Sequence, residues 1–158
     1  MRTVAVIQAR LGSTRLPGKV LMPLGINPVL WWVASAVQHA VGIDEIVVAT
    51  SDLEQDNPIH EFCSDNQIRC IRGSEADVLA RFAKVAEETN AEALVRITAD
   101  CPLIDPKIIS EVVKLREMTG SDYASCIDPP TFPDGQDTES FTRRALMEAH
   151  NEATRPSD

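Results

Sequence analysis

"TVAVIQARLGSTRLPGKVL", residues 3–21, is the stretch on which the fold turns. Val4 to Ile7 run apolar without alternation, the pattern of a strand buried on both faces. From Ala9 the chain becomes a Gly-bounded loop that closes on Gly18-Lys19. A strand feeding such a loop suits a phosphate group, yet this is not a Walker A sequence. The interval from Gly12 to Gly18 is one residue too long, and Val20 stands where a Ser or Thr would hold Mg²⁺. The dinucleotide fingerprint G-x-G-x-x-G is absent as well. What the loop does offer is Gly12 and Gly18 for positive φ or close backbone approach, hydroxyls on Ser13 and Thr14, and cations at Arg10, Arg15 and Lys19.

Outward from this stretch, short β-branched runs alternate with amphipathic helical patterns. "EIVVATS" (45–51), "IRCIRG" (68–73) and "EALVRIT" (92–98) read as further strands, and "DYASCI" (122–127) as a fifth. Helices are expected from about Pro28 to Val41, over "DNPIHEFCSDN" (56–66), over "SEADVLARFAKVAEETN" (74–90), from Pro106 behind an Asp105 N-cap, and from about Phe141 onward. Alternation of this kind predicts an α/β fold, a three-layer α/β/α Rossmann-like arrangement with a mostly parallel sheet. Ligands of such folds bind at the carboxyl ends of the strands, where the strand order reverses. The loops after the first four strands should therefore converge on one edge.

At 158 residues and 44% hydrophobic content the chain has the size of one domain with a real core. The apolar stretches are too short or too interrupted for a signal peptide or a membrane span, so a cytoplasmic protein is expected. Cys63, Cys70, Cys101 and Cys126 form no C-x-x-C pair and read as reduced thiols. His39, His60 and His150 have no partner pattern and are expected to be structural or exposed. The net charge of −9 disfavours nucleic acid as a partner. Its distribution is polar in the other sense: residues 1–43 contain Arg2, Arg10, Arg15 and Lys19 and none of the 24 acids. A segment that gathers cations beside glycines and excludes carboxylates suits a small polyanion.

Five blocks taken in order, "IQARLGSTRLPGKVL", "VVATS", "RGSEADVLARF", "RITADCPLIDP" and "PPTFPDGQDTESF", resemble the cytidylyltransferase family that includes CMP-KDO synthetase and CMP-sialic acid synthetase, most fully its spore-coat polysaccharide biosynthesis protein F branch. The resemblance implies a nucleotidyltransferase that uses CTP and Mg²⁺, transfers CMP to a sugar or sugar acid, and releases pyrophosphate, with no nucleic acid or membrane partner and with a homodimer among its assemblies. It also implies that residues 1–158 are one nucleotidyltransferase domain lacking the family's C-terminal portion, cut in the polar "NEATRPSD".

Residue by residue, the resemblance assigns Ala9, Arg10, Leu11, Gly12, Ser13, Arg15 and Lys19 to the nucleotide phosphates, with Arg10 and Lys19 as catalytic grips. Gly73, Ser74 and Asp77 fall beside the nucleoside, although S-x-x-D spacing is equally that of a helix cap. Asp100 takes the position of the metal-binding aspartate, and a carboxylate at the end of an apolar strand is well placed for that. Asp134, Asp137 and Glu139 are substrate-side candidates, Asp137 also as a second metal ligand. Two rivals are a non-catalytic nucleotide-binding module or incomplete enzyme fragment, and a sugar-nucleotide-dependent glycosyltransferase. The lack of any Asp-x-Asp counts against the second.

Overall fold

The computed structural model describes residues 1–154, and residues 155–158 lie outside it. In chain order the elements are β1 (Thr3–Gln8), a small hairpin of β2 (Pro23–Leu24) and β3 (Asn27–Pro28), α1 (Val29–Gln38), β4 (Glu45–Ser51), α2 (Asn57–Asp65), β5 (Arg69–Gly73), α3 (Val78–Thr89), β6 (Ala93–Thr98), α4 (Pro106–Thr119), β7 (Tyr123–Ser125), β8 (Glu139–Thr142) and α5 (Arg143–Glu152). Single 3-10 turns cover Lys19–Leu21 and Glu54–Asp56.

The main sheet has the order β5-β4-β1-β6-β8-β7. β1 pairs in parallel with β4 on one side and β6 on the other, and β4 with β5. β8 runs antiparallel to both β6 and β7. Alternate residues of β1 feed two cores, as a pleated strand requires. Ala5 and Ile7 join Leu30, Val33, Ile59 and Ile109 from α1, α2 and α4, whereas Val4 and Val6 join Phe82, Val85 and Leu146 from α3 and α5. The expected α/β/α layering with a mostly parallel sheet is what forms.

Local signals explain most element ends. The Asp105 carboxylate accepts from the Lys107 N–H at 2.8 Å, Pro106 opens α4, and Gly120 closes it at φ 63°. Helix α1 stops at Gln38, short of the expected Val41. His39 caps it, and the chain turns through Gly42 at φ 90° into β4, which leaves Val41 outside the helix and 77% exposed. The fifth expected strand shrinks to β7.

β8 and its consequences were not anticipated. Glu139 lies in a strand and not in a loop, and the last helix begins at Arg143, because the Thr142 hydroxyl caps it by accepting from the Ala145 N–H at 3.2 Å. The strand hides in the sequence because its buried residue is polar. Ser140 is fully buried and its hydroxyl accepts from Nε of the buried Arg116 at 2.9 Å, so no apolar alternation marks it. The "NEATRPSD" ending is helical through Glu152, and its last residues lie outside the described part.

Candidate functional site

The reversal of strand order falls between β1 and β6, so the loops that follow these two strands face each other. They enclose a cavity of about 260 Å³ lined by Gln8, Arg10, Ser13, Thr14, Arg15, Lys19, Arg96, Thr98 and Asp100, among others. A larger cavity of about 510 Å³ opens at the amino ends of β4 and β5 around Trp31, Asp44, Glu45 and Arg69, and holds none of the expected site residues.

The first loop is built by its own backbone. The Leu11 carbonyl accepts from both the Ser13 N–H at 2.8 Å and the Gly18 N–H at 2.9 Å, which ties the loop shut at its base. Ser13 Oγ accepts from the Leu16 N–H at 3.3 Å. The N–H groups of Gly12, Thr14 and Arg15 are left without a partner among the described residues. Successive free N–H groups beside cations make a concavity suited to an anion. The two glycines serve different needs. Gly18 sits at φ 73° in open space, whereas a Cβ on Gly12 would stand 3.3 Å from Gln55 Nε2 and 3.5 Å from Glu75 Oε1. Val20, buried in the core, anchors the far end.

The loop is also fastened from outside, by a residue the sequence reading missed. Asp56 is completely buried, accepts from the Leu11 N–H at 2.8 Å, and accepts from the Ser51 hydroxyl. Its only signal was its place in "TSDLEQD", the loop after the second strand. Below it lies Arg81, 2% exposed, which donates through Nη1 to the Ser74 carbonyl at 2.6 Å. Burial and the charge of Arg10 push the Arg81 pKa down, while Asp56, Glu75 and Asp77 pull it back.

Lys19 reaches across the cavity to Asp100, forming an ion pair between the two loops. Burial pushes the Asp100 carboxyl up, but the hydrogen bond and charge of Lys19, helped by Thr98, outweigh it and hold the group below its ordinary value. The loop 128–137 joins this end through Gln136, whose Oε1 accepts from the Asp105 N–H at 2.7 Å and whose Nε2 donates to the Leu103 carbonyl at 2.8 Å. Asp134 and Asp137 thereby come within electrostatic reach of Cys101: burial raises that thiol above its ordinary value, Thr98 opposes, and Asp100, Asp137 and Asp134 add to the rise.

Gly73, Ser74 and Asp77 stand apart from this cavity. Ser74 Oγ accepts from the Asp77 N–H at 3.1 Å, and Asp77 caps α3 by accepting from the Ala80 N–H at 2.8 Å, so both side chains are engaged in the local turn. Ala9 and Leu11 contribute backbone and packing. Glu139 lies opposite Arg96 across the β6–β8 ladder and pairs with it at 2.5 Å. Arg96 is the second residue not anticipated. Its signal was a lone charge inside the apolar run "ALVRIT".

The donors fit a hard divalent cation. No group of three His, Cys, Asp or Glu able to hold a metal occurs among the described residues. Mg²⁺ commonly takes one or two carboxylates and completes its shell with phosphate and water, and Asp100 is the carboxylate that lines the cavity, with Asp137 in the neighbouring loop within electrostatic reach of Cys101. No described helix is long and apolar enough to cross a membrane.

Comparison with known proteins bears on the family and the fold. The spore coat polysaccharide biosynthesis protein SpsF of Bacillus subtilis is 40% identical over 129 residues, covering 79% of this chain and 54% of its own. A 3-deoxy-manno-octulosonate cytidylyltransferase of Trichlorobacter lovleyi is 33% identical over 122 residues, 72% of this chain and 44% of its own. The chain thus spans about half the length of these curated relatives. The solved structure of a cytidylyltransferase from Leptospira borgpetersenii superposes with a TM-score of 0.93 at 32% identity, over 98% of this chain and 66% of that one. A family model described as Cytidylyltransferase matches residues 4–154, and this chain belongs to the cytidylyltransferase family.

Proposed function

We propose that the protein transfers CMP from CTP to a sugar or sugar acid, with Mg²⁺, releasing pyrophosphate for surface polysaccharide biosynthesis in the cytoplasm. The observation that carries this reading is the meeting of a loop bearing free N–H groups and three cations with the Asp100 carboxylate, at the reversal of strand order. The free N–H groups of Gly12, Thr14 and Arg15, with Arg10, Arg15 and Lys19, hold the phosphates. Asp100, with Asp137, holds Mg²⁺, which when bound neutralises phosphate charge. Gly73, Ser74 and Asp77 border the nucleoside, chiefly through backbone, and Asp134, Asp137 and Glu139 lie on the acceptor side.

The acceptor hydroxyl oxygen forms a bond to the α-phosphorus as the bond to the bridging oxygen breaks in line. Pyrophosphate leaves with the electron pair, and the hydroxyl proton passes to solvent. Positioning and charge neutralisation supply most of the rate in such transfers. Lys19, paired with Asp100 in the free protein, would exchange that partner for the phosphates, and Asp100 would be the carboxylate that holds Mg²⁺.

The test is pyrophosphate release with CTP, ATP, GTP and UTP in turn against a panel of neutral and acidic sugars. CTP alone should support turnover, and Asp100→Asn should keep the fold, seen by circular dichroism, while abolishing Mg²⁺-dependent release. CTP binding with no turnover on any acceptor would favour the nucleotide-binding module instead.

A further inference from the structure

Two thiols outside the candidate site meet between α2 and β5. Helix α2 ends in a tight reverse turn: the Gln67 N–H donates to the Ser64 carbonyl at 3.2 Å, the Ile68 N–H donates to the Cys63 carbonyl at 2.8 Å, and Gln67 takes φ 57°. That turn folds β5 back along the helix. Cys70 stands two residues beyond Ile68 and shares its face, beside Val48 of β4 in the ladder. Ile68 and Cys70 both pack against the core cluster that contains Val48 and the fully buried Cys63. The Cys63 and Cys70 thiols share a hydrogen bond. The other two cysteines meet oxygen instead, Cys101 at 3.2 Å from Thr98 Oγ1 and Cys126 donating to the Gln136 carbonyl at 3.3 Å.

Their surroundings make the two sulfurs unequal. Cys70 is partly exposed, whereas Cys63 is sealed. The hydrogen bond from Cys63 lowers the Cys70 pKa, burial opposes it, and the charge of Arg72 adds to the lowering, while the same hydrogen bond and burial push the Cys63 thiol up. Arg72 is a fixed neighbour, its guanidinium donating to the Ser51 and Leu53 carbonyls and to Asn57 Oδ1, each at 2.8 Å. An accessible sulfur that favours the thiolate, set against a second, buried thiol, has the arrangement of an attacking and a resolving cysteine. We propose that Cys63 and Cys70 form a redox site that takes a hydroperoxide, Cys70 being the sulfur that attacks it and Cys63 the sulfur that resolves the product to a disulfide. The Cys70 sulfur bonds to one peroxide oxygen as the O–O bond breaks, and the other oxygen leaves with the electron pair and takes up the thiol proton, so that a sulfenic acid and an alcohol or water result. The Cys63 sulfur then bonds to the Cys70 sulfur as the S–O bond breaks, and the departing hydroxide takes the Cys63 proton as water. The two thiols lose two electrons in all, and the hydroperoxide gains them.

The test exposes the reduced full chain to hydrogen peroxide, caps the remaining thiols and maps tryptic peptides by mass spectrometry. Trypsin cleaves after Arg69, so Cys63 and Cys70 fall on separate peptides that only a disulfide can join. The joined pair should appear in protein that still runs as a monomer on a non-reducing gel, and dithiothreitol should reverse it. Cys70 should be consumed at least about tenfold faster than Cys101 or Cys126, in keeping with its thiolate character and exposure. In Cys63→Ala the sulfenic acid on Cys70 should persist and be trapped by dimedone, and in Cys70→Ala no such adduct should form on Cys63. The wild-type map decides the matter whether or not either variant folds. Oxidation of Cys101 or Cys126 ahead of Cys70 overturns the assignment, as does Cys70 passing to sulfinic acid in the wild type with no joined pair, or a joined pair found only between chains.

Discussion

Asp100 and Lys19 show how much of the site depends on single side chains. Removing one cation from charge developing on the phosphates typically lowers the rate by about 10²–10³-fold, so Lys19→Ala and Arg10→Ala should each reduce kcat/KM by that order in the pyrophosphate assay. The pairing of Lys19 with Asp100 has its own signature. A carboxyl whose folded pKa is depressed contributes stability that is complete above its unfolded value, near pH ~4, and is lost as pH falls through the lower folded value. That contribution is therefore constant at neutral pH and disappears only in acid. Carbon-detected NMR titration should find Asp100 below the ordinary aspartate range, and Lys19→Met should move it upward. An unchanged titration in that variant would mean that Lys19 does not hold the carboxylate.

At the scale of elements, the loop after β1 owes its shape to the turn that follows β4 as much as to its own glycines. Asp56→Ala would leave the Leu11 N–H and the Ser51 hydroxyl without their acceptor in the interior. An unsatisfied buried polar group costs about 1–3 kcal/mol, so urea denaturation should show at least that loss, and amide exchange in residues 9–18 should quicken before the rest of the chain. Gly18→Ala tests the loop from the other end. A left-handed residue bearing a Cβ costs about 1–2 kcal/mol, and because nothing crowds Gly18 that backbone term should be the whole effect. β8 belongs to this scale too, since pairing against β6 is what brings Glu139 beside Arg96.

Among the described residues two large cores lie on opposite faces of the sheet, with a small third cluster around Val112, Ala124 and Cys126, and α5 closes one of the large cores through Leu146. Leu146→Ala should destabilise the fold by about 2–5 kcal/mol in urea denaturation without touching the cavity. A sheet that is parallel from β5 to β6 was legible in the sequence, because apolar runs such as Val4–Ile7 and the caps at Asp105 and Pro106 are local signals that the backbone follows wherever it lies. The cationic loop and Asp100 were legible for a related reason: a carboxylate or a cluster of cations at a strand end has no packing role to obscure it. Asp56, Arg96 and β8 were not, because each draws its meaning from a partner distant in the chain. A buried aspartate is silent until the Leu11 N–H arrives beneath it, Arg96 is an oddity until Glu139 faces it, and a strand whose interior residue is Ser140 has no hydrophobic period to announce it. By itself the sequence determined the parallel strands and the helices between them, the cations gathered in the loop after β1 and the carboxylate at the end of β6. Only the tertiary structure decided which polar groups are paired with which, since hydrogen bonds and ion pairs depend on distance in space and leave no period along the chain.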